Sequence, residues 1–152
     1  MRYRVCKSFE IESGHMLLKH RGRCRFPHGH SRRIDVILSR EELDANDMVC
    51  DFAAVKHALA EHIDRLDHAM AMNQEDPRYG EISQWCERVV TFGPRDPTTE
   101  VMARSIYDFL VTRIASGKPI EGAGRTYSLP TDLVVERVRV TETPTSWAEY
   151  GR

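Results

Sequence analysis

Nothing in this sequence approaches the roughly 18 consecutive apolar residues that a membrane span requires, so no transmembrane helix is expected. Neither sign of charge is in excess. The 22 lysines and arginines are matched by 23 aspartates and glutamates, which removes any global field for nucleic acid or a membrane surface and confines a basic site to a local patch suited to a small anion. The 4 cysteines, Cys6, Cys24, Cys50 and Cys86, show no Cys-x-x-Cys spacing. They are therefore expected as reduced thiols, not as a disulfide framework or a four-cysteine zinc knuckle. The opening stretch "MRYRVCKSFEIE" alternates like a strand instead of forming the apolar run of a signal peptide, which suggests a cytoplasmic protein. Repeats, low-complexity tracts and linkers are also missing. With 152 residues and 41% hydrophobic content, the expectation is one domain over 1–152.

What is present is a change of period along the chain. Tyr3, Val5, Phe9 and Ile11 fall on one side of an extended segment and Arg2, Arg4, Ser8 and Glu10 on the other. Ile34, Val36 and Leu38 alternate with Arg33, Asp35 and Ser39, giving a second strand that can pair with the first. Helical spacing follows. Asp51 is placed to cap a helix carrying Phe52, Val55, Leu59, Ile63 and Leu66. Thr98 or Thr99 caps another, with Met102, Ile106, Phe109, Leu110 and Ile114 on its stripe and Gly117 at its end. "LVVERVRVTE" and "SWAEY" read as a third and a fourth strand. Strands, helices, then strands predict an α+β fold, an antiparallel four-stranded sheet with two helices on one face. The other face, polar and basic, is expected to meet further copies of the chain in a homo-oligomer.

The densest chemistry lies in "CRFPHGHS", Cys24 to Ser31. Residues two apart on a strand point the same way, so His28 and His30 share the side of Ile34, Val36 and Leu38. A His-x-His pair taken alone is equally compatible with surface histidines. Pairing of the first two strands, however, brings His15 to the same end. Three imidazoles without a fourth protein ligand are the donor set of a catalytic Zn2+ that keeps one position open. Cys24 is either an acid/base thiolate activated by the cation and by Arg23 and Arg25, or the fourth ligand of a closed structural site. His20, His57 and His62 are expected to face solvent.

Three further signals carry two readings each. Asp67 and His68, in "LDH", form either a simple helix terminus or a carboxylate-oriented histidine that shuttles protons. Glu142 closes the strand face of Val134, Glu136, Val138 and Val140, where an unpaired charge is costly. A guanidine-like heterocycle with two adjacent N–H donors would satisfy it. Lys19, Arg21, Arg23, Arg25, Arg32 and Arg33 surround the histidine segment as either a solvated surface or a phosphate-binding rim.

Together His15, the Cys24-to-His30 motif, "VCDFAAVK", "LDH", "DPTTE" and "VTET" resemble the 6-pyruvoyltetrahydropterin synthase and 6-carboxytetrahydropterin synthase family over nearly the whole chain. The resemblance implies the tunnelling fold, a β-β-α-α-β-β unit whose trimers close a barrel and stack into a hexamer. It implies zinc on His15, His28 and His30, and proton transfer by Cys24, Asp67 and His68, drawn from different subunits. It also implies a pterin held by Thr98, Thr99, Glu100 and Glu142. The implied substrate is 7,8-dihydroneopterin triphosphate. Three residues between Cys24 and His28 resemble the carboxy type, whose product belongs to queuosine-type deazapurine synthesis; the pyruvoyl type and a non-catalytic zinc or pterin binder are the alternatives. "MAMN" after "LDH" and the segments 74–95 and 117–130 depart from the family pattern.

Overall fold

The computed structural model covers residues 1–152. Two long strands, β1 (Tyr3–His15) and β2 (His28–Arg40), pair antiparallel from Tyr3 opposite Arg40 to His15 opposite His28. Their inward positions, among them Ile11, Ile34, Val36 and Leu38, are buried against α1 (Phe52–Asp64) and against a longer helix in 99–115. The Asp51 carboxylate accepts the Ala53 N–H at 2.7 Å and fixes the start of α1, a cap worth about 1 kcal/mol. Ala54, Val55, Ala58, Leu59 and Ile63 form its buried stripe.

Three short elements, absent from the sequence reading, follow α1. β3 (Met70–Met72) pairs parallel with the end of β1, α2 (Tyr79–Trp85) crosses the surface, and β4 (Val89–Thr91) pairs parallel with β3. Next, α3 (Thr99–Ala115) starts at Thr98, whose hydroxyl accepts the Val101 N–H at 3.3 Å. It buries Met102, Ile106, Leu110 and Ile114, each worth roughly 1.5–3 kcal/mol. The chain leaves α3 at Gly117, whose φ of 59° suits a glycine after a helix end. The hairpin of β5 (Ile120–Gly122) and β6 (Arg125–Tyr127) lies over α1, and β7 (Val134–Thr143) with β8 (Ser146–Gly151) completes the sheet in the order β4-β3-β1-β2-β7-β8. The four long antiparallel strands and two long helices stand as expected, widened by the two parallel strands. No helix is long and apolar enough to cross a membrane.

Two irregularities in β7 correct the simple alternation. Against β2 the register shifts between Ile37 and Leu38, leaving Glu136 as the extra residue. The shift reverses the side-chain parity, so Val135 joins Val138 and Val140 in the core instead of Val134, and Glu136 turns outward to accept the Arg4 Nε–H at 2.7 Å. Against β8 the register shifts between Thr141 and Thr143, with Glu142 as the extra residue.

The expectation that His57 and His62 face solvent is also corrected: both are half-buried. His57 stacks on Tyr127 with ring centroids 5.2 Å apart. A Cβ at Gly122 would overlap the His57 ring, so the hairpin can lie this close only with glycine there. His62 stacks on Phe109 at 4.4 Å and meets the Ser105 hydroxyl at 3.3 Å. The cover differs: the β5–β6 hairpin lies over His57, and His62 sits beside the buried Ile63 at the seam with α3.

Burial, with a smaller contribution from nearby Arg65, lowers the His62 pKa from 6.5 to about 4. The unfolded chain therefore binds a proton at this ring at higher pH than the folded chain does. Its contribution to stability is complete above about pH 6.5 and is lost as pH falls through about 4. Denaturant midpoints measured at pH 7 and pH 4.5 are expected to fall less for His62→Leu than for the wild type. Equal acid sensitivity would contradict the burial of a neutral imidazole.

Candidate metal centre and active site

Antiparallel register places His15 opposite His28 and Ser13 opposite His30, so three imidazoles converge at one end of the helix-covered face. Their ring centroids lie 4.5, 5.0 and 5.1 Å apart, and one donor nitrogen from each lies within 4.8 Å of the others. Two backbone carbonyls set the tautomers. The His15 Nδ1–H donates to the Pro97 carbonyl at 2.8 Å and the His28 Nδ1–H donates to the Phe26 carbonyl at 2.7 Å. A carbonyl only accepts, so Nδ1 of each ring carries a hydrogen and Nε2 is the nitrogen left to face the cluster.

His28 Nε2 is buried without a hydrogen-bond partner, and His15 Nε2 lies 3.2 Å from His30 Nε2. Burial, opposed by the Pro97 carbonyl and aided by Arg32, lowers the His15 pKa to about 4 and keeps the ring neutral. An orphaned buried acceptor beside two inward imidazoles is the donor set of a divalent cation such as zinc. The residues fit the metal.

Cys24 does not belong to this ligand group. The Leu17 N–H donates to the Cys24 carbonyl at 3.0 Å, folding the connection between β1 and β2 back on itself. Cys24 thereby lines a cleft of about 330 Å³ with Thr98, Thr99, Glu100, Glu142 and Trp147. All four pterin-site candidates and one of the three proton-transfer candidates thus meet in one cleft. Asp67 and His68 lie elsewhere in the chain. They follow the end of α1, with His68 at φ 53°, its Nδ1 3.0 Å from the Asp67 carboxylate and its side chain 73% exposed. The Asp67 carboxylate also accepts the Glu12 N–H at 2.9 Å, which ties the pair to the edge of β1.

Glu142 is partnered, against the expectation of a lone carboxylate. Its Oε2 accepts the Thr99 hydroxyl proton, Arg32 lies 3.7 Å from the same oxygen, and Oε1 lies 3.7 Å from His30 Nε2. Burial raises its pKa, but the Thr99 hydrogen bond and the nearby Arg32 guanidinium outweigh it, so the net shift is downward and the group is ionised.

Arg32 is the main correction among the basic residues. Expected on a solvated surface or a phosphate-binding rim, it is instead 1% exposed and directed inward. Its Nε–H donates to the Ser13 hydroxyl and its Nη1–H to the Thr99 hydroxyl, each at 2.9 Å. Arg33 ties to Asp35 and Ser8 on the opposite face. Lys19 alone of the six lines a second cleft of about 420 Å³, with Arg95 and His20, which shares Leu17, His20 and Thr98 with the first.

Sequence reasoning missed the staple that holds all this together. Asp96, 8% exposed, accepts the Leu18 and Lys19 N–H groups at 3.1 and 2.8 Å and the Asn73 side-chain amide at 2.9 Å. This fixes the segment after β1 against the start of α3 and positions the Pro97 carbonyl under His15. The fully buried Asn73 belongs to "MAMN".

A sheet of four antiparallel strands widened by two parallel ones, covered on one face by two helices and carrying three imidazoles at its end, defines a tunnelling-fold protein with a candidate metal centre. The chain belongs to the 6-pyruvoyl tetrahydropterin synthase family of enzymes, whose model matches residues 4–152. It is 33% identical over 169 residues to the 6-carboxy-5,6,7,8-tetrahydropterin synthase of Aquifex aeolicus, covering 99% of this chain and 98% of that one. To the Haemophilus influenzae protein of the same name it is 30% identical over 155 residues, covering 97% and 98%. The fold is similar to that of the Caenorhabditis elegans 6-pyruvoyl tetrahydropterin synthase, with a TM-score of 0.66 and 18% identity over 100% of this chain and 96% of that one. An uncharacterized protein from Wolinella succinogenes superposes with a TM-score of 0.79 at 22% identity, covering 100% and 99%.

His28→Ala removes one of three donors at a strand end outside the apolar core. It is expected to keep the fold and to lose most bound zinc, read by metal analysis of the purified protein. Full occupancy in that variant would contradict the metal assignment.

Proposed function

We propose that this chain, as one domain over residues 1–152, is a zinc-dependent lyase that converts 7,8-dihydroneopterin triphosphate and water to 6-carboxy-5,6,7,8-tetrahydropterin, releasing triphosphate and the two remaining side-chain carbons as an aldehyde. The observation that carries the reading is the orphaned His28 Nε2 beside two inward imidazoles, in a chain whose Cys24 and Glu142 share a cleft. Similarity to curated 6-carboxytetrahydropterin synthases and the three residues between Cys24 and His28 support the carboxy type over the pyruvoyl type. The queuosine-type pathway follows from that choice of product.

His15, His28 and His30 hold the zinc. Bound there, zinc supplies Lewis-acid polarisation of the substrate's side-chain hydroxyls and acidifies the adjacent C–H. Glu142 accepts the paired N–H donors of the pterin ring, with Thr98, Thr99 and Glu100 at the α3 start completing the ring site. Cys24 takes the proton from the side-chain carbon, and His68, oriented by Asp67, exchanges the proton of the neighbouring hydroxyl. Lys19 and Arg95 in the adjoining cleft suit the triphosphate.

His68 is exposed and Cys24 lies in a cleft without it. The complete site therefore forms between copies, in a cytoplasmic homohexamer built as a dimer of trimers. The outer side of β1 ahead of its short pairing with β3, the edge strand β8 and the charged far face support that assembly.

Mass spectrometry of the products formed from 7,8-dihydroneopterin triphosphate tests the activity. A 6-carboxytetrahydropterin product is expected, and a 6-pyruvoyl product would overturn the choice of type. Cys24→Ala is expected to keep its zinc and to lose turnover by roughly a hundredfold or more, as removal of a general base does. Loss of metal in that variant would make Cys24 a ligand and the centre a closed structural site.

A further inference from the structure

We infer that Arg32 is a positioning residue: acting through the Thr99 hydroxyl, it holds the Glu142 carboxylate in the orientation that receives a ligand's paired N–H donors. The ligand class rests on the proposed function, whereas the positioning rests on geometry alone.

A threonine hydroxyl has one hydrogen, and a guanidinium has no acceptor. Arg32 Nη1 therefore donates to Thr99 Oγ1, and the Thr99 hydrogen is left for Glu142 Oε2. The direction of the chain Arg32 to Thr99 to Glu142 is thereby fixed. The Ser13 hydroxyl on β1 holds the other side of the guanidinium at 2.9 Å, so the planar fork cannot swing.

No part of the Arg32 side chain reaches solvent, and Glu142 is its one carboxylate within ion-pair distance. A buried cation needs that counter-charge, which ties the carboxylate to a single arrangement. Oε2 keeps one lone pair and Oε1 both, and this remaining acceptor edge belongs to the cleft that Glu142 lines. Arg32 does not itself line that cleft. It acts on a ligand only through its neighbours.

The test titrates zinc-loaded protein with neopterin, read by the fluorescence of the ligand. Arg32→Met and Thr99→Val are each expected to weaken binding about tenfold, the loss that an unsupported buried hydrogen-bonding group produces. Arg32→Lys, which keeps the charge without the fork, is expected to recover part of the loss. Arg32→Met combined with Glu142→Gln is expected to bind no more weakly than Glu142→Gln alone, because Arg32 acts through that carboxylate. Unchanged affinity in Arg32→Met, or losses that add in the double variant, would overturn the inference. Should Arg32→Met fail to fold, Thr99→Val carries the same comparison, since it breaks the bridge and leaves the buried ion pair. Absence of neopterin binding by the wild type would contradict the proposed ligand. Positioning is then decided by the crystal structure of Thr99→Val, where a displaced Glu142 carboxylate supports it and an unmoved one overturns it.

Discussion

In an antiparallel pair a slip of one residue turns every side chain to the opposite face, and it is this constraint that makes the register of β1 on β2 decisive. The pairing that buries Ile11, Ile34, Val36 and Leu38 also sets His15 opposite His28, Ser13 opposite His30 and Ile11 opposite Arg32. Apolar burial and the donor cluster thus cannot be separated. Sliding the strands to disperse the histidines would expose the core, and the core's preference for one register assembles the site.

Charge balance is the second determinant. The site combines three imidazoles, a fully buried guanidinium and a carboxylate within a few ångströms of one another. Thr99, in the first turn of α3, mediates between the two charges, and the helix amino terminus adds its own attraction for an anion at Glu142. The β-bulge at Glu142, the second in β7 after the one at Glu136, is the device that re-aims this side chain at the end of the strand. Below the histidines, Asp96 couples the segment after β1 to the start of α3, so the Pro97 carbonyl under His15 is as fixed as the helix itself.

The long elements were legible because each repeats its pattern several times. β1, β2 and most of β7 alternate, while α1 and α3 announce themselves by Asp51 and Thr98 and by stripes of period 3.6. The three histidines were legible from parity and pairing, whereas the meeting of Cys24 and Glu142 in one cleft was implied only by the family resemblance. Strands of three residues such as Met70–Met72 and Val89–Thr91 have no period to detect, and only pairing makes them strands, the first with β1 and the second with β3. The bulges at Glu136 and Glu142 were invisible because an extra residue leaves no mark on composition. Arg32 was misread for a related reason: its parity with His30 and Ile34 pointed inward, yet an arginine in a basic cluster suggests surface, and its partners Ser13 and Thr99 come from distant segments. Pro97 acts through its carbonyl, which no side-chain pattern reports.

The central claim is an open centre in which three imidazole nitrogens hold the metal and Cys24 stands apart as a reactant. Substituting cobalt for zinc and recording the electronic absorption spectrum tests it most directly, because a thiolate ligand produces an intense sulfur-to-metal charge-transfer band that nitrogen and oxygen ligands do not. The account predicts visible ligand-field bands of an open nitrogen-ligated site and no charge-transfer band, with the same spectrum in Cys24→Ala. A charge-transfer band in the wild type that disappears in Cys24→Ala would contradict it and show a closed site with Cys24 as fourth ligand.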